Sequence, residues 1–461
     1  MRKKIFLFLV VLGVLFSGRV WAEEAKTVKY VFLFIGDGMA LPQRMVTDEY
    51  LARNANEQLL MNTFPVQVPT VTRSANALVT DSAAGGTALA CGTKTNNGVI
   101  GLAPDGSRLE SVAEVARNAG RKVGIITTVT INHATPAAFY GHRPSRNQYY
   151  ALGLDLIASN FDYFAGGGVA ENEKKDAPDF QGRITKLARE KGYQVVHDTD
   201  EFHALKLGCG KVIVNQSDGS MPPAINRAEY EGKLELTDLV RKGIELLDNP
   251  KGFFMMVEGG QIDGFCHANN AAAAIWETIL FDRSIRIAYE FAQKHPDETL
   301  IVVTADHETG GLTLGYSGVY ASYSCRPEMM VAQKGTGGVV HNAIREVLSK
   351  EGSTFDDMKP VLTEWFGLNF EDKSNPLYVT EKELSELEAG FQAGKKDGKW
   401  SASAMFRPAM LLLTHKAGLG WTTGGHTALP VLTSAYGAGA ERFHGFIDNT
   451  DVANLLKPLL N

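Results

Sequence analysis

The chain has 461 residues, 44% hydrophobic and 21% charged, a globular composition with room for one large α/β domain or two ordinary ones. Its formal net charge of −6 and lack of a long basic run exclude a nucleic-acid-binding field. An anionic substrate therefore has to be held locally, by a metal, an arginine or a helix end.

At the N-terminus, Arg2, Lys3 and Lys4 precede an apolar run over residues 5–16, and Val20-Trp21-Ala22 places small residues where a signal peptidase reads. A membrane anchor needs about twenty apolar residues, and Ser17-Gly18-Arg19 interrupts this run earlier. Residues 1–22 are thus expected to be an export signal and 23–461 the mature domain, periplasmic or extracellular. Cys91, Cys209, Cys266 and Cys325 show no CxxC or zinc-knuckle spacing, and no disulfide is assigned.

Residues 28–35 (VKYVFLFI) form a near-continuous apolar, β-rich run, the signature of a strand buried on both faces. The run ends in Gly36-Asp37-Gly38, where open α/β sheets place ligands; taken alone, Asp37 is a turn aspartate. Next, Thr80-Asp81-Ser82-Ala83-Ala84-Gly85-Gly86 sets a lone serine ahead of small residues. A helix starting there offers free N–H groups and the positive end of its dipole to an anion. Its small side chains let the backbone approach whatever the serine faces. Taken alone, Ser82 is an N-cap.

A short helix over 111–119 precedes a strand over 122–128, which runs into His133-Ala134-Thr135 and on to Arg143 and Arg146. Strand-like pieces follow at 162–165 and 212–214, with helices at 183–191 and 234–247. The buried strand 252–257 again ends on an acid, Glu258, followed by Asp263 and His267. A long helix over 269–295 leads to the strand 299–304, which delivers Ala305-Asp306-His307-Glu308. This alternation predicts an α/β fold with a doubly wound, largely parallel central sheet and helices on both faces. From about 312 to 420 the alternation breaks. Helices at 340–349 and 381–393, the latter opened by a Thr380/Glu383 capping box, are expected to form a cap-like insertion over the site or against a partner. Gly424-Gly425-His426-Thr427 follows, and residues 446–450 close the core.

Asp37, Glu258, Asp263, His267, Asp306 and His307 thus follow separate buried strands, with His426 in a glycine-rich loop. A mixed Asp/His/Glu set without cysteine suits zinc, with oxygen-rich positions left for magnesium. Two neighbouring metals can clamp the entering and leaving oxygens of an in-line displacement.

The GDG strand end, DSA, VEGGQID with a histidine four residues on, TADH and GGHT, in this order, resemble alkaline phosphatases, from about residue 29 to 452 and most weakly across the insertion. The resemblance implies hydrolysis of small-molecule phosphate monoesters through a phosphorylated Ser82, with Arg146 gripping the phosphoryl oxygens. It implies that Asp263, His267 and His426 hold one Zn2+, and Asp37, Asp306 and His307 a second. Asp37, Thr135 and Glu258 would hold Mg2+; Ser82 would itself contact metal, and Asp81 and His133 would stand beside the ligands. A homodimer is an assembly common in the family, without any residue here that specifies it. His133 stands where some members have aspartate, and Gly264 where those members have lysine, which leaves the third metal open. A sulfatase needs a C/S-x-P-x-R context that DSAAGG lacks, and a phosphodiesterase usually uses threonine and lacks the arginine. A non-catalytic exported zinc- or phosphate-binding protein would leave Ser82 and Arg146 without a role.

Overall fold

The computed structural model describes residues 28–461 apart from 171–179, 218, 231, 317–322 and 397–399, so the proposed export segment lies outside the described residues. In chain order the strands are β1 (Tyr30–Ile35), β2 (Val66–Val71), β3 (Lys122–Thr127), β4 (Tyr163–Gly166), β5 (Tyr193–Val196), β6 (Lys211–Asn215), β7 (Phe253–Glu258), β8 (Thr299–Thr304), β9 (Glu308–Thr309), β10 (Leu312–Leu314), β11 (Leu419–Trp421), β12 (His426–Thr427), β13 (Val431–Gly437) and β14 (Ile447–Asp448). A 10-stranded sheet has the order β14-β2-β13-β8-β1-β7-β3-β4-β6-β5. It is parallel except at β13, which runs antiparallel to both β8 and β2. The expected doubly wound, largely parallel sheet is therefore present.

β1 explains why its run is apolar throughout. Tyr30, Phe32 and Phe34 enter the core on one face, and Val31, Leu33 and Ile35 enter the core on the other. A strand covered on both sides has no position left for a polar side chain. Register then fixes the site. Ile35 lies level with Glu258 on one side and Thr304 on the other, and Thr127 lies level with Glu258 beyond it. Four strands therefore end together, and the residues that follow them share one edge of the sheet.

Four sheet strands escaped the sequence pattern, the two-residue β14 among them and the other three for physical reasons. β2 (VQVPTV) carries a proline and alternating polar residues, which demote a run as a central strand. β13 buries Thr433 and Ser434, whose hydroxyls are satisfied across the sheet: Thr433 Oγ1 lies 2.7 Å from Thr70 Oγ1 and 2.8 Å from Thr304 Oγ1. β5 is a four-residue edge strand. Helices Leu41–Ala55, Phe355–Phe366, Ala402–Lys416 and Asn449–Leu460 were likewise not anticipated. The long helix begins at Ala271, capped by the Asn270 side chain, rather than at 269. All four cysteines are free, Cys91 and Cys266 buried.

Residues 312–421 leave and rejoin the fold through the antiparallel β10–β11 pair, with helices Gly338–Ser349, Phe355–Phe366, Glu381–Gly394 and Ala402–Lys416 between. The Thr380/Glu383 capping box is present.

Glu277, buried in helix Ala271–Lys294, accepts from Ala224 N at 2.8 Å. Burial raises its pKa from 4.5 to about 8. Its contribution to stability is intact below 4.5 and is lost as the pH rises through about 8, because only the unfolded carboxyl ionises freely in between. Thermal unfolding of Glu277→Gln across that window should lose less stability with rising pH than the wild type; an identical slope would refute this.

Candidate metal centre and nucleophile

The stretch around Ser82 forms helix Ser82–Cys91. Asp81, not Ser82, is its N-cap and accepts from Ala84 N at 3.0 Å. Ser82 is the first helical residue, beside N–H groups that have no intrahelical acceptor. The small residues are needed for close packing. A Cβ on Gly85 would stand 2.9 Å from the Asp306 carbonyl oxygen, and one on Gly86 3.2 Å from Thr135 Cα. The helix start is thereby pressed against two other strand ends.

The strand ends bring the predicted ligands into three groups: Asp263, His267 and His426; Asp37, Asp306 and His307; and Asp37, His133 and Glu258, each with its ligand atoms within 4.8 Å of one another. Asp263 and His267 share one face of the short helix Gln261–His267. His426 arrives on β12, which pairs with β9 directly after His307. Ser82 Oγ lies 3.2 Å from His307 Nε2, which is itself 3.4 Å from Asp37 Oδ1 and 3.3 Å from Asp306 Oδ2.

Backbone carbonyls set two tautomers. His426 Nδ1 donates to the Thr80 carbonyl (2.8 Å) and His267 Nδ1 to the Gly424 carbonyl (2.7 Å), because a carbonyl can only accept. Both Nε2 atoms, 3.1 Å apart, then face one point beside Asp263, an arrangement that a cation satisfies in place of the His267 proton. Buried oxygens without a hydrogen-bond partner make the same case deeper in: both of Asp37, one each of Glu258 and Asp306, and the Thr135 hydroxyl. These donors fit metal ions.

The electrostatics agree. Burial, then the neighbouring Asp306, Asp263 and Glu258 charges, raise Asp37 well above the usual carboxylate range. Asp306 is raised by burial and by Asp263 and Glu258, and Glu258 goes to about 7, chiefly through burial. Burial lowers His307 to about 3, so its imidazole stays neutral and able to bind metal. His267 is raised to about 9, first through its hydrogen bond to Asp263, so a metal there displaces a proton. Burial would raise Asp263, but His267, His307 and His426 outweigh it and hold the acid low. The first group faces solvent through His267, whereas Asp37, Asp306 and His307 are fully buried.

Arg146 Nη1 donates to Asp81 Oδ2 at 3.0 Å, and its Nη2 lies 3.3 Å from His133 Nε2. Asp81 thus caps the Ser82 helix and holds Arg146 with one carboxylate. Arg143 points elsewhere, both nitrogens of its fork on Asp155 at 2.8 and 2.6 Å. His133, expected beside the ligands, stands among the third group, lowered to about 4 by burial and then by Arg146.

Three contributors were missed. Thr309 Oγ1 lies 2.5 Å from Asp263 Oδ1 and 3.2 Å from His307 Nδ1, bridging two ligand groups. Thr127 donates to Glu258, and the buried Glu308 ties several loops. The only signal for Thr309 and Glu308 was adjacency to His307.

A sequence model of the alkaline phosphatase family matches residues 28–461. The chain is 32% identical over 456 residues to alkaline phosphatase 4 of Bacillus subtilis, covering 95% of this chain and 90% of that one. Alkaline phosphatase 3 of the same organism is also 32% identical, with 95% and 91% covered. The crystal structure of a cold-active alkaline phosphatase from a psychrophilic Shewanella superposes with a TM-score of 0.79 at 27% identity, covering 94% of this chain and all of that one. Similar too, at TM-score 0.65 and 26% identity over 95% of this chain and 99% of that one, is a histidine-to-aspartate mutant of the alkaline phosphatase of the Antarctic bacterium TAB5 with Mg bound in its M3 site. On this sequence match and shared fold, the chain belongs to the alkaline phosphatase family, enzymes that hydrolyse phosphate monoesters.

Proposed function

We propose that the enzyme works through a phosphoserine on Ser82 beside two zinc ions and a third metal. The observation that carries this reading is the convergence of unpartnered ligand atoms on the space beside Ser82 Oγ. Asp263, His267 and His426 would hold one zinc, and Asp37, Asp306 and His307 the other, in contact with Ser82. Asp37, Thr135 and Glu258 offer oxygens that suit magnesium, while His133 beside them adds a nitrogen that suits zinc. The bound metals supply Lewis acidity, lowering the pKa of the serine hydroxyl and of water and offsetting charge on the oxygens of the transferred group.

The chain's own groups do the rest. Ser82 Oγ gives up its proton as it bonds to phosphorus, the bond from phosphorus to the leaving oxygen breaks and that oxygen departs as the alcohol with a proton. Water then bonds to phosphorus, the Oγ–phosphorus bond breaks, and Oγ regains a proton as inorganic phosphate leaves. Arg146, held beside Ser82 by Asp81, presents a planar fork that can bind two phosphoryl oxygens, which lysine cannot do. The first-turn N–H groups add dipole stabilisation. A diester has one fewer charged oxygen for that fork, so monoesters are preferred. The Arg2–Lys4 charges and the apolar run support export, and the β10–β11 closure supports an inserted cap. A homodimer accords with the family.

The test is hydrolysis of an aryl phosphate monoester and its diester before and after chelation, with zinc and magnesium returned. The expected result is a chelator-sensitive monoester rate that zinc restores, far above the diester rate. A rate indifferent to chelation would overturn the reading.

A further inference from the structure

One fully buried carboxylate next to the site has no part in the chemistry above. Glu308 follows His307 and has none of its surface exposed. Gln43 Nε2 donates to its Oε1 at 2.7 Å, Gly311 N to its Oε2 at 3.0 Å and Leu312 N to Oε1 at 3.3 Å, and the Thr427 hydroxyl donates to Oε2. The four donors come from three different supports of the metal centre. Gln43 reaches back to Ala40 N (3.1 Å), just beyond the Asp37 turn, and its Nε2 also donates to the Thr309 carbonyl at 2.9 Å. Thr427 adjoins His426 on β12, and Gly311 and Leu312 lead out of β9 toward β10.

The β9–β12 pair that brings His426 to His307 is only two residues long, with His426 opposite Thr309 and Thr427 opposite Glu308. So short a ladder is weak on its own. Buried side-chain links are what hold such a pair in one geometry, and groups behind metal ligands tune affinity without touching metal.

We infer that Glu308 is a positioning residue that sets the spacing between the two proposed zinc groups, joining the Asp37 turn through Gln43 and the His426 strand through Thr427. The inference rests on the zinc assignment proposed above. Cutting the Thr427 link should let His426 drift from Asp263 and His267 while leaving the more buried Asp37, Asp306 and His307 group intact. The result is selective weakening of one zinc.

Thr427→Val removes one hydroxyl at nearly constant volume, and Glu308→Gln keeps the side-chain shape while changing one acceptor into a donor. Zinc binding to the metal-free full-length protein is measured by chelator competition, alongside thermal unfolding of the same metal-free samples. The expected result is that one of two zincs binds about 10–100-fold more weakly in both variants, while the metal-free proteins melt near the wild type. Wild-type affinity for both zincs in both variants would overturn the brace. So would a lowered melting temperature with zinc affinity unchanged, the mark of a purely structural carboxylate. A wild-type protein that binds no zinc would overturn the metal assignment and the brace with it.

Discussion

Ser82→Ala is expected to lower kcat/KM for an aryl phosphate roughly a thousandfold or more while leaving the fold intact. The two halves of that expectation come from one observation. Because Asp81 caps the helix, alanine at the first helical position removes no capping bond. Ser82 Oγ makes its hydrogen bond to His307 Nε2, inside the ligand cluster. Its loss would therefore remove the proposed nucleophile and little else. Residual hydrolysis would come from the metals, Arg146 and the helix N-terminus acting on bound water. Steady-state kinetics with a melting curve of the same sample check it. A variant within tenfold of the wild type would mean that another group attacks phosphorus.

Asp37→Asn is the second large effect, and its sign depends on metal. Asp37 is the one side chain shared by two ligand groups. With zinc present, the variant should lose most activity, bind fewer than the wild-type complement of metals, and melt lower. Without metal the order reverses. Asp37 is fully buried among Asp306, Asp263 and Glu258, and its pKa is raised well above 3.8 by burial first and those charges second. A carboxyl raised in the folded state supports stability below its unfolded pKa and loses that support as the pH climbs through its folded value. Asparagine carries no such loss. At alkaline pH the chelated variant should therefore melt above the chelated wild type. Differential scanning fluorimetry with and without zinc reads both arms. The same order in both arms would show that Asp37 does not compensate a cation.

Much of this centre was legible in the sequence because parallel strands advertise themselves. VKYVFLFI, GFFMMV and TLIVVT had to be buried on both faces, and the acids that follow them had to meet at one sheet edge once those strands paired in register. The motif order supplied the rest: each predicted ligand lies in or beside the cluster, and Arg146 rather than Arg143 points at it. What stayed hidden depends on contacts with no local pattern. β2 and β13 bury hydroxyls that pair across the sheet, so their sequences lack the apolar run that marked β1. Glu308 and Thr309 act through β12, which lies more than a hundred residues later in the chain and pairs with them only in the folded state. His133 could be placed near the ligands by sequence, but its approach to Asp37 and Glu258 is set by helix Ala134–Ala137 docking under Gly86.

The central claim is that Ser82 carries the phosphoryl group between two displacements at phosphorus. The measurement that tests it most directly is the stereochemical course of transfer from a chirally isotope-labelled phosphate monoester to an added alcohol, using zinc-replete protein. Each in-line displacement inverts phosphorus, so passage through phosphoserine predicts net retention. Net inversion would mean a single direct displacement and would contradict the account.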